Sequence, residues 1–187
     1  IDRRTFVRGG LAGAGLLALP SAALGAVAPG FTHGVASGEP ATDRVLLWTR
    51  FAGSGDGAAL RYEVADSLDF AKPVSGGQVL ALGDRDWCAK AVATGLEPGR
   101  WYYYRFVGPA GEISPVGRTR TLPAGTVDRF RLAVFSCSNL GFGWFNAYRH
   151  AAEDGAFDIA VHLGDYYYEY EKGNYPDPKQ IVPGRVL

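Results

Sequence analysis

The sequence contains no methionine, only two cysteines and no excess of charge of either sign. Two cysteines, Cys88 and Cys137, rule out a small domain stapled by several disulfides. A single bridge between them would require an oxidising compartment, and the two residues fall in different predicted domains. Nineteen basic residues match nineteen acidic ones, so no general attraction to nucleic acid or to an anionic membrane is expected. The apolar run at 9–19 is about a dozen residues, short of the ~20 that a membrane-crossing helix needs. The chain opens on Ile1 without a methionine and stops just after a Pro/Gly-rich stretch, so we expect it to be part of a longer protein. What is plentiful is glycine, 26 residues, and aromatics, 13% of the chain. That balance leans towards β structure with many turns, around a core of ordinary apolar content.

The N-terminus reads as an address. Asp2-Arg3-Arg4-Thr5-Phe6-Val7-Arg8 is a paired-arginine motif, followed by a mildly apolar Gly/Ala/Leu run, Pro20 and a series of small residues. The charged, apolar, small-residue order is that of an export signal, and the arginine pair resembles a twin-arginine signal. Residues 1–28 are therefore set aside from the fold. The twin-arginine export machinery is an expected partner, and a periplasmic or secreted location is expected. That route carries proteins already folded.

Residues 30–123 show short β-rich runs: Val45-Leu46-Leu47-Trp48-Thr49-Arg50, Leu60-Arg61-Tyr62-Glu63-Val64, Trp87 to Ala93, Trp101 to Val107 and Val116 to Thr121. Between them stand turn formers: Gly53-Ser54-Gly55-Asp56-Gly57, Gly76-Gly77, Glu97-Pro98-Gly99 and Gly108-Pro109. Regular spacing of short strands predicts a β-sandwich of fibronectin III/Ig-like type. Gly95-Leu96-Glu97-Pro98-Gly99 ahead of an aromatic strand looks like the fibronectin III signature, in which the leucine plugs the sandwich and a tyrosine follows the turn. His33 and Asp43 have no second ligand or base at a readable spacing, so this module is expected to pack or space rather than catalyse. Cys88 reads as a small buried hydrophobe.

After a linker around Pro123, residues 128–187 change character. A strand at 129–135 runs into Ser136-Cys137-Ser138-Asn139, a helix-like stripe follows at 144–153, and a second strand at 157–163 runs into Gly164-Asp165-Tyr166-Tyr167-Tyr168-Glu169. Trp144, Phe145, Tyr148 and Ala152 recur at helical spacing, and Gly155 offers a stop. Strand, helix, strand is a βαβ unit with parallel strands. The carboxyl ends of such strands form the rim where ligands bind. Asp165 and Tyr168, three apart, with Cys137 on the neighbouring strand, supply anionic donors suited to a hard trivalent ion such as iron. Cys137 reads as a ligand or nucleophile, or else as an inert buried thiol. Asp165 reads as a ligand or as a solvated loop residue. Tyr168 stands in an aromatic cluster that could equally be packing. His162 reads as a hydrogen-bonded core histidine, and His150 as a surface residue on the helix. Asn139 and Glu169 are candidates for supporting roles beside the metal.

These stretches, with Phe31-Thr32-His33-Gly34-Val35-Ala36-Ser37-Gly38-Glu39-Pro40 and Ser114-Pro115-Val116-Gly117-Arg118-Thr119-Arg120-Thr121, resemble the N-terminal part of the PhoD-type alkaline phosphatase/phosphodiesterase family of metallophosphatases. The resemblance implies a sandwich followed by the start of an α/β metallophosphatase domain, truncated here. It implies that Cys137, Asp165 and Tyr168 coordinate Fe(3+), with Asp165 placed to bridge towards Ca(2+). It implies a phosphate mono- or diester substrate, hydrolysed by a metal-activated water. The family's remaining ligands, from later strands, have no counterpart in these residues, so the fragment by itself is expected to be inactive. Two alternatives stand beside this reading. A purple-acid-type phosphatase shares the Asp-x-x-Tyr spacing, though that group resembles other metallophosphatases in placing Asp where this chain has Cys137. An exported fibronectin-like binding module without catalysis is the other.

Overall fold

Every second side chain of the run Arg44–Arg50 is buried: Val45, Leu47 and Thr49 face inward while their neighbours face out. That period of two is what a strand with one covered face requires. The computed structural model describes residues 30–52, 56–170 and 177–185; the paired-arginine segment lies outside the described residues. The chain divides into two compact units between Ala124 and Gly125.

In the first unit the described residues form seven strands, β1 Val35–Gly38, β2 Arg44–Arg50, β3 Gly57–Ala65, β4 Ser75–Leu82, β5 Cys88–Thr94, β6 Trp101–Val107 and β7 Gly117–Arg120. They make two antiparallel sheets, ordered β1-β2-β5 and β4-β3-β6-β7. The inward residues of both sheets join one cluster: Val45 and Leu47 from β2, Leu60 and Val64 from β3, Ala89 and Ala93 from β5, and Tyr102, Tyr104 and Phe106 from β6. This is the predicted β-sandwich. Each large apolar side chain removed from water in this way contributes about 1.5–3 kcal/mol. Leu96 is buried in the same cluster, and the Tyr102 hydroxyl accepts the Glu97 N–H at 2.8 Å, pinning the turn to the strand. Buried threonine hydroxyls of this unit find carbonyl partners. Thr49 donates to the Gly34 carbonyl at 2.9 Å, and Thr121 donates to the Glu97 carbonyl at 2.6 Å.

Three local readings need correction. Gly76-Gly77 is not a turn but lies inside β4, opposite Glu63 and Tyr62 of β3. A Cβ on Gly77 would meet the Tyr62 ring at 3.0 Å, so the glycine makes room for a cross-strand aromatic rather than for a bend. β1 carries no apolar alternation and was not foreseen as a strand; its pairing to β2, from Val35 opposite Thr49 to Gly38 opposite Leu46, recruits it. Cys88 is half-buried and free rather than a core residue.

The second unit contains β8 Leu132–Phe135, the helix α1 Asn146–Asp154 and β9 Ile159–His162. The strands are parallel, with Leu132 opposite Ile159 and Phe135 opposite His162. Both are shorter than the apolar runs that predict them. The helix also starts later than its stripe, because Trp144 and Phe145 precede its first turn and Trp144 is 66% exposed. Gly155 ends the helix in the left-handed region (φ 55°), its N–H donating to the Ala151 carbonyl. His150 is on the helix surface, 3.6 Å from Glu153. Leu132 and Val134 are 55% and 54% exposed, although parallel strands are ordinarily covered on both faces.

Candidate metal centre

Because β8 and β9 run in parallel, their chain exits emerge at the same edge, and the pairing persists beyond the strands. Leu163 N–H donates to the Phe135 carbonyl at 2.9 Å, Cys137 N–H to the Gly164 carbonyl at 3.2 Å, and Ser138 N–H to the Asp165 carbonyl at 2.8 Å. At this point both chains turn sharply. Cys137 has φ 61° and Asp165 φ 50°, left-handed conformations that cost a residue with a Cβ about 1–2 kcal/mol each. The turns bring the two side chains face to face, the Cys137 thiol donating to the Asp165 carboxylate with Sγ and Oδ2 3.4 Å apart. Both residues are exposed.

The tyrosines that follow are not equivalent. Tyr166 and Tyr167 are 69% and 68% exposed, whereas Tyr168 is half-buried and its hydroxyl hydrogen-bonds with Cys137 and with Asp165. The Cys137 contact, followed by lost hydration and the Asp165 carboxylate, holds the Tyr168 phenol well above its ordinary pKa. The structure thus gathers the three residues that the sequence pattern singles out. Thiol, carboxyl and phenol become three anionic donors once their protons leave, a set that fits a hard, highly charged cation. Among the described residues no group of three or more His, Cys, Asp and Glu side chains could hold a metal, so a site here depends on the phenol.

The other candidates fall outside this contact set. Asn139 accepts the Gly141 N–H at 2.9 Å and so shapes its own loop, and Glu169 is exposed. Loop 136–145 is braced from the chain's last described segment. Arg185 donates to the Leu140 carbonyl at 2.8 Å, with its guanidinium 4.4 Å from the Trp144 ring and 5.1 Å from the Phe145 ring, and Val182 N–H donates to the Gly141 carbonyl.

Sequence reasoning left one cluster unread. Ser138, Tyr148 and His162 hydrogen-bond with one another. Tyr148 Oη lies 2.8 Å and Ser138 Oγ 3.2 Å from His162 Nε2, and the two hydroxyls are in contact. Gly164 N–H donates to His162 Nδ1 at 3.3 Å, which leaves the neutral ring's proton on Nε2. Tyr148 reads as helix packing in the apolar stripe, and its spacing alone carries no sign of a polar task.

A fibronectin-like sandwich ahead of a parallel βαβ unit that displays a cysteine, an aspartate and a tyrosine at its carboxyl edge has the architecture of a β-sandwich followed by the start of an α/β metallophosphatase domain. Comparison with known proteins agrees. Residues 18–123 match the family described as PhoD-like phosphatase, N-terminal domain, and residues 132–186 match PhoD-like phosphatase. The chain belongs to the PhoD-like phosphatase family. It is 39% identical over 195 residues to alkaline phosphatase D of Bacillus subtilis (strain 168), covering 93% of this chain and 33% of that protein. A solved structure of PhoD superposes with a TM-score of 0.73 at 38% identity, over 79% of this chain and 30% of that one. The chain therefore spans about a third of the length of the relatives it matches.

Proposed function

We propose that the protein to which this chain belongs hydrolyses phosphate mono- or diesters with the help of metal, and that Cys137, Asp165 and Tyr168 hold Fe(3+) with Asp165 also reaching towards Ca(2+). The observation that carries this reading is the convergence of the three donors: a thiol 3.4 Å from a carboxylate, with the Tyr168 hydroxyl joined to both. Cations bound at such a site would supply positive charge to phosphoryl oxygens and acidity to a water. The chain's own residues do the rest. The two left-handed turns aim Cys137 and Asp165 at one point, and Tyr168 closes over them from the loop that follows β9. A thiol and a phenol must lose their protons to bind as anions, so loading a cation would release protons and metal uptake should weaken as pH falls.

Membership of the PhoD-like family supports a phosphate ester as substrate. A site with more than one metal draws ligands from more strands than β8 and β9, so these 187 residues alone are expected to turn over no ester. The full-length protein provides the test. Tyr168→Phe should abolish the visible band expected of an iron-bound phenolate and cut ester hydrolysis sharply, while Tyr167→Phe keeps both. Cys137→Ser should lower iron content, since a neutral hydroxyl replaces a thiolate. Equal loss of colour in the two tyrosine variants, or full iron content after Cys137→Ser, overturns the assignment.

Arg3-Arg4, the mild apolar run and the small residues behind it support export by the twin-arginine route to the periplasm or beyond. A reporter that functions only after folded export, fused behind residue 29, should lose export when Arg3 and Arg4 both become Lys. Unchanged export would refute it.

A further inference from the structure

Ser138, Tyr148 and His162 come from three different elements, the exit of β8, the helix α1 and the end of β9, yet they share one set of hydrogen bonds. Each end of that set leads to a donor. Ser138 follows Cys137 directly, and its own N–H holds the Asp165 carbonyl at 2.8 Å. His162 reaches the other side, its Nδ1 accepting the N–H of Gly164, the residue before Asp165. Tyr148 supplies the fixed point. Its ring stands edge-on to Phe135 at 4.8 Å between centroids and lies 6.0 Å from Phe145, so packing fixes where its hydroxyl sits.

Cys137 and Asp165 both occupy left-handed backbone that their side chains disfavour. Left to themselves, both turns would relax and the 3.4 Å approach would open. Ser138 is 9% exposed, so its hydroxyl depends on Tyr148 and His162 for partners and cannot easily exchange them for water. Main-chain bonds join the two exits side by side, and the Ser138–Tyr148–His162 set ties both exits to the helix.

We propose that Ser138, Tyr148 and His162 are positioning residues that set the separation and aim of Cys137 and Asp165. This inference rests on the reading of Cys137, Asp165 and Tyr168 as metal ligands. The three touch neither substrate nor metal; they act through the loops that carry the ligands, as hydrogen-bond partners behind metal ligands commonly do.

The test uses the full-length protein with Fe(III) as the probe. Tyr148→Phe deletes one oxygen and keeps the ring packing, and Ser138→Ala removes the other partner of His162 Nε2. Three quantities are read: iron affinity by chelator competition, the position and width of the visible band, and the melting temperature of the metal-free protein. In both variants affinity should fall about 10–100-fold and the band should shift or broaden, while metal-free melting stays close to that of the unaltered protein. Wild-type affinity and an unshifted band in both variants overturn the inference. So does an affinity loss that merely follows a loss of metal-free melting temperature, which marks a folding role. If the unaltered protein binds no Fe(III), or Cys137→Ser binds it as tightly, the metal-site reading itself has failed and the positioning set falls with it. That result is told apart from failure of the positioning set alone, in which Cys137→Ser loses iron and Tyr148→Phe does not.

Discussion

Replacing Tyr102 by Phe removes a single oxygen from the sandwich core and isolates the bond that anchors its turn. Tyr102 is 2% exposed, and its ring remains in the cluster after the change, so little apolar burial is lost. What disappears is the acceptor for the Glu97 N–H at 2.8 Å. A buried amide left without a partner costs about 1–3 kcal/mol, and because Glu97 itself is exposed, water can recover part of this, which puts the cost near ~1.5 kcal/mol. With a urea m-value of ~1.5 kcal/mol per molar for a domain of this size, the midpoint should fall by ~1 M with m unchanged. Three of the four tryptophans, Trp48, Trp87 and Trp101, lie in the sandwich, so fluorescence during urea unfolding reports on that unit, and a Trp144→Phe background removes the remaining signal. Phe106→Ala, which empties a fully buried site, sets the upper scale at about 3–5 kcal/mol. A midpoint shift below ~0.3 M for Tyr102→Phe would mean that the hydroxyl does not secure the turn, since it corresponds to well under the ~1 kcal/mol lower limit. A shift as large as that of Phe106→Ala would mean that the ring had moved and that the hydrogen bond was not isolated.

Two further outcomes are expected. Cys137→Gly relieves a left-handed backbone cost of about 1–2 kcal/mol against about 0.5–1 kcal/mol of added chain entropy, so denaturant melts of the metal-free protein should show equal or slightly higher stability while iron binding is lost; a stability loss of ~1 kcal/mol or more would contradict the strain at this position. Glu63 is partly buried, which opposes its ionisation, but Arg105 at 2.7 Å and Arg61 at 3.0 Å outweigh this and hold its pKa below the usual carboxylate range. Its contribution is therefore complete above the ordinary carboxylate pKa and disappears as pH falls through the lowered value. Acid unfolding curves of Glu63→Gln should accordingly lack that part of the wild-type pH dependence, and superimposable curves would refute the ion pairing.

The sandwich was legible where one face of a strand is buried and the other wet, because the resulting alternation is local: β2, β3, β5 and β6 all carry it. β1 and β4 escaped because what makes them strands is not in their own residues. Val35-Ala36-Ser37-Gly38 gains its conformation from the register with β2, and Gly76-Gly77 mimics a turn until the ring of Tyr62 is placed across it. The same limit applies to α1, whose apolar spacing begins two residues before the helix does. Cys137, Asp165 and Tyr168 could be picked out from residue type and spacing beside two apolar runs. The left-handed turns that aim them could not, since neither position is glycine, and the hydrogen bonds of Ser138, Tyr148 and His162 join residues up to 24 apart in sequence.

Those two unread features bear on the site in opposite directions. Left-handed backbone at Cys137 and Asp165 raises the energy of the metal-free loops, and the neighbouring thiol and carboxylate hold the Tyr168 phenol above its ordinary pKa. The two turns are not what folding alone favours, because a glycine at either position would remove the backbone cost. The polar set on Tyr148 works the other way, fixing both turns against relaxation. On the reading proposed above, a cation held by Cys137, Asp165 and Tyr168 would offset the cost of these strained, braced turns, and its binding free energy would become part of the folding free energy of the loops. Metal occupancy should then stabilise the second unit and leave the sandwich, which has its own core, unaffected.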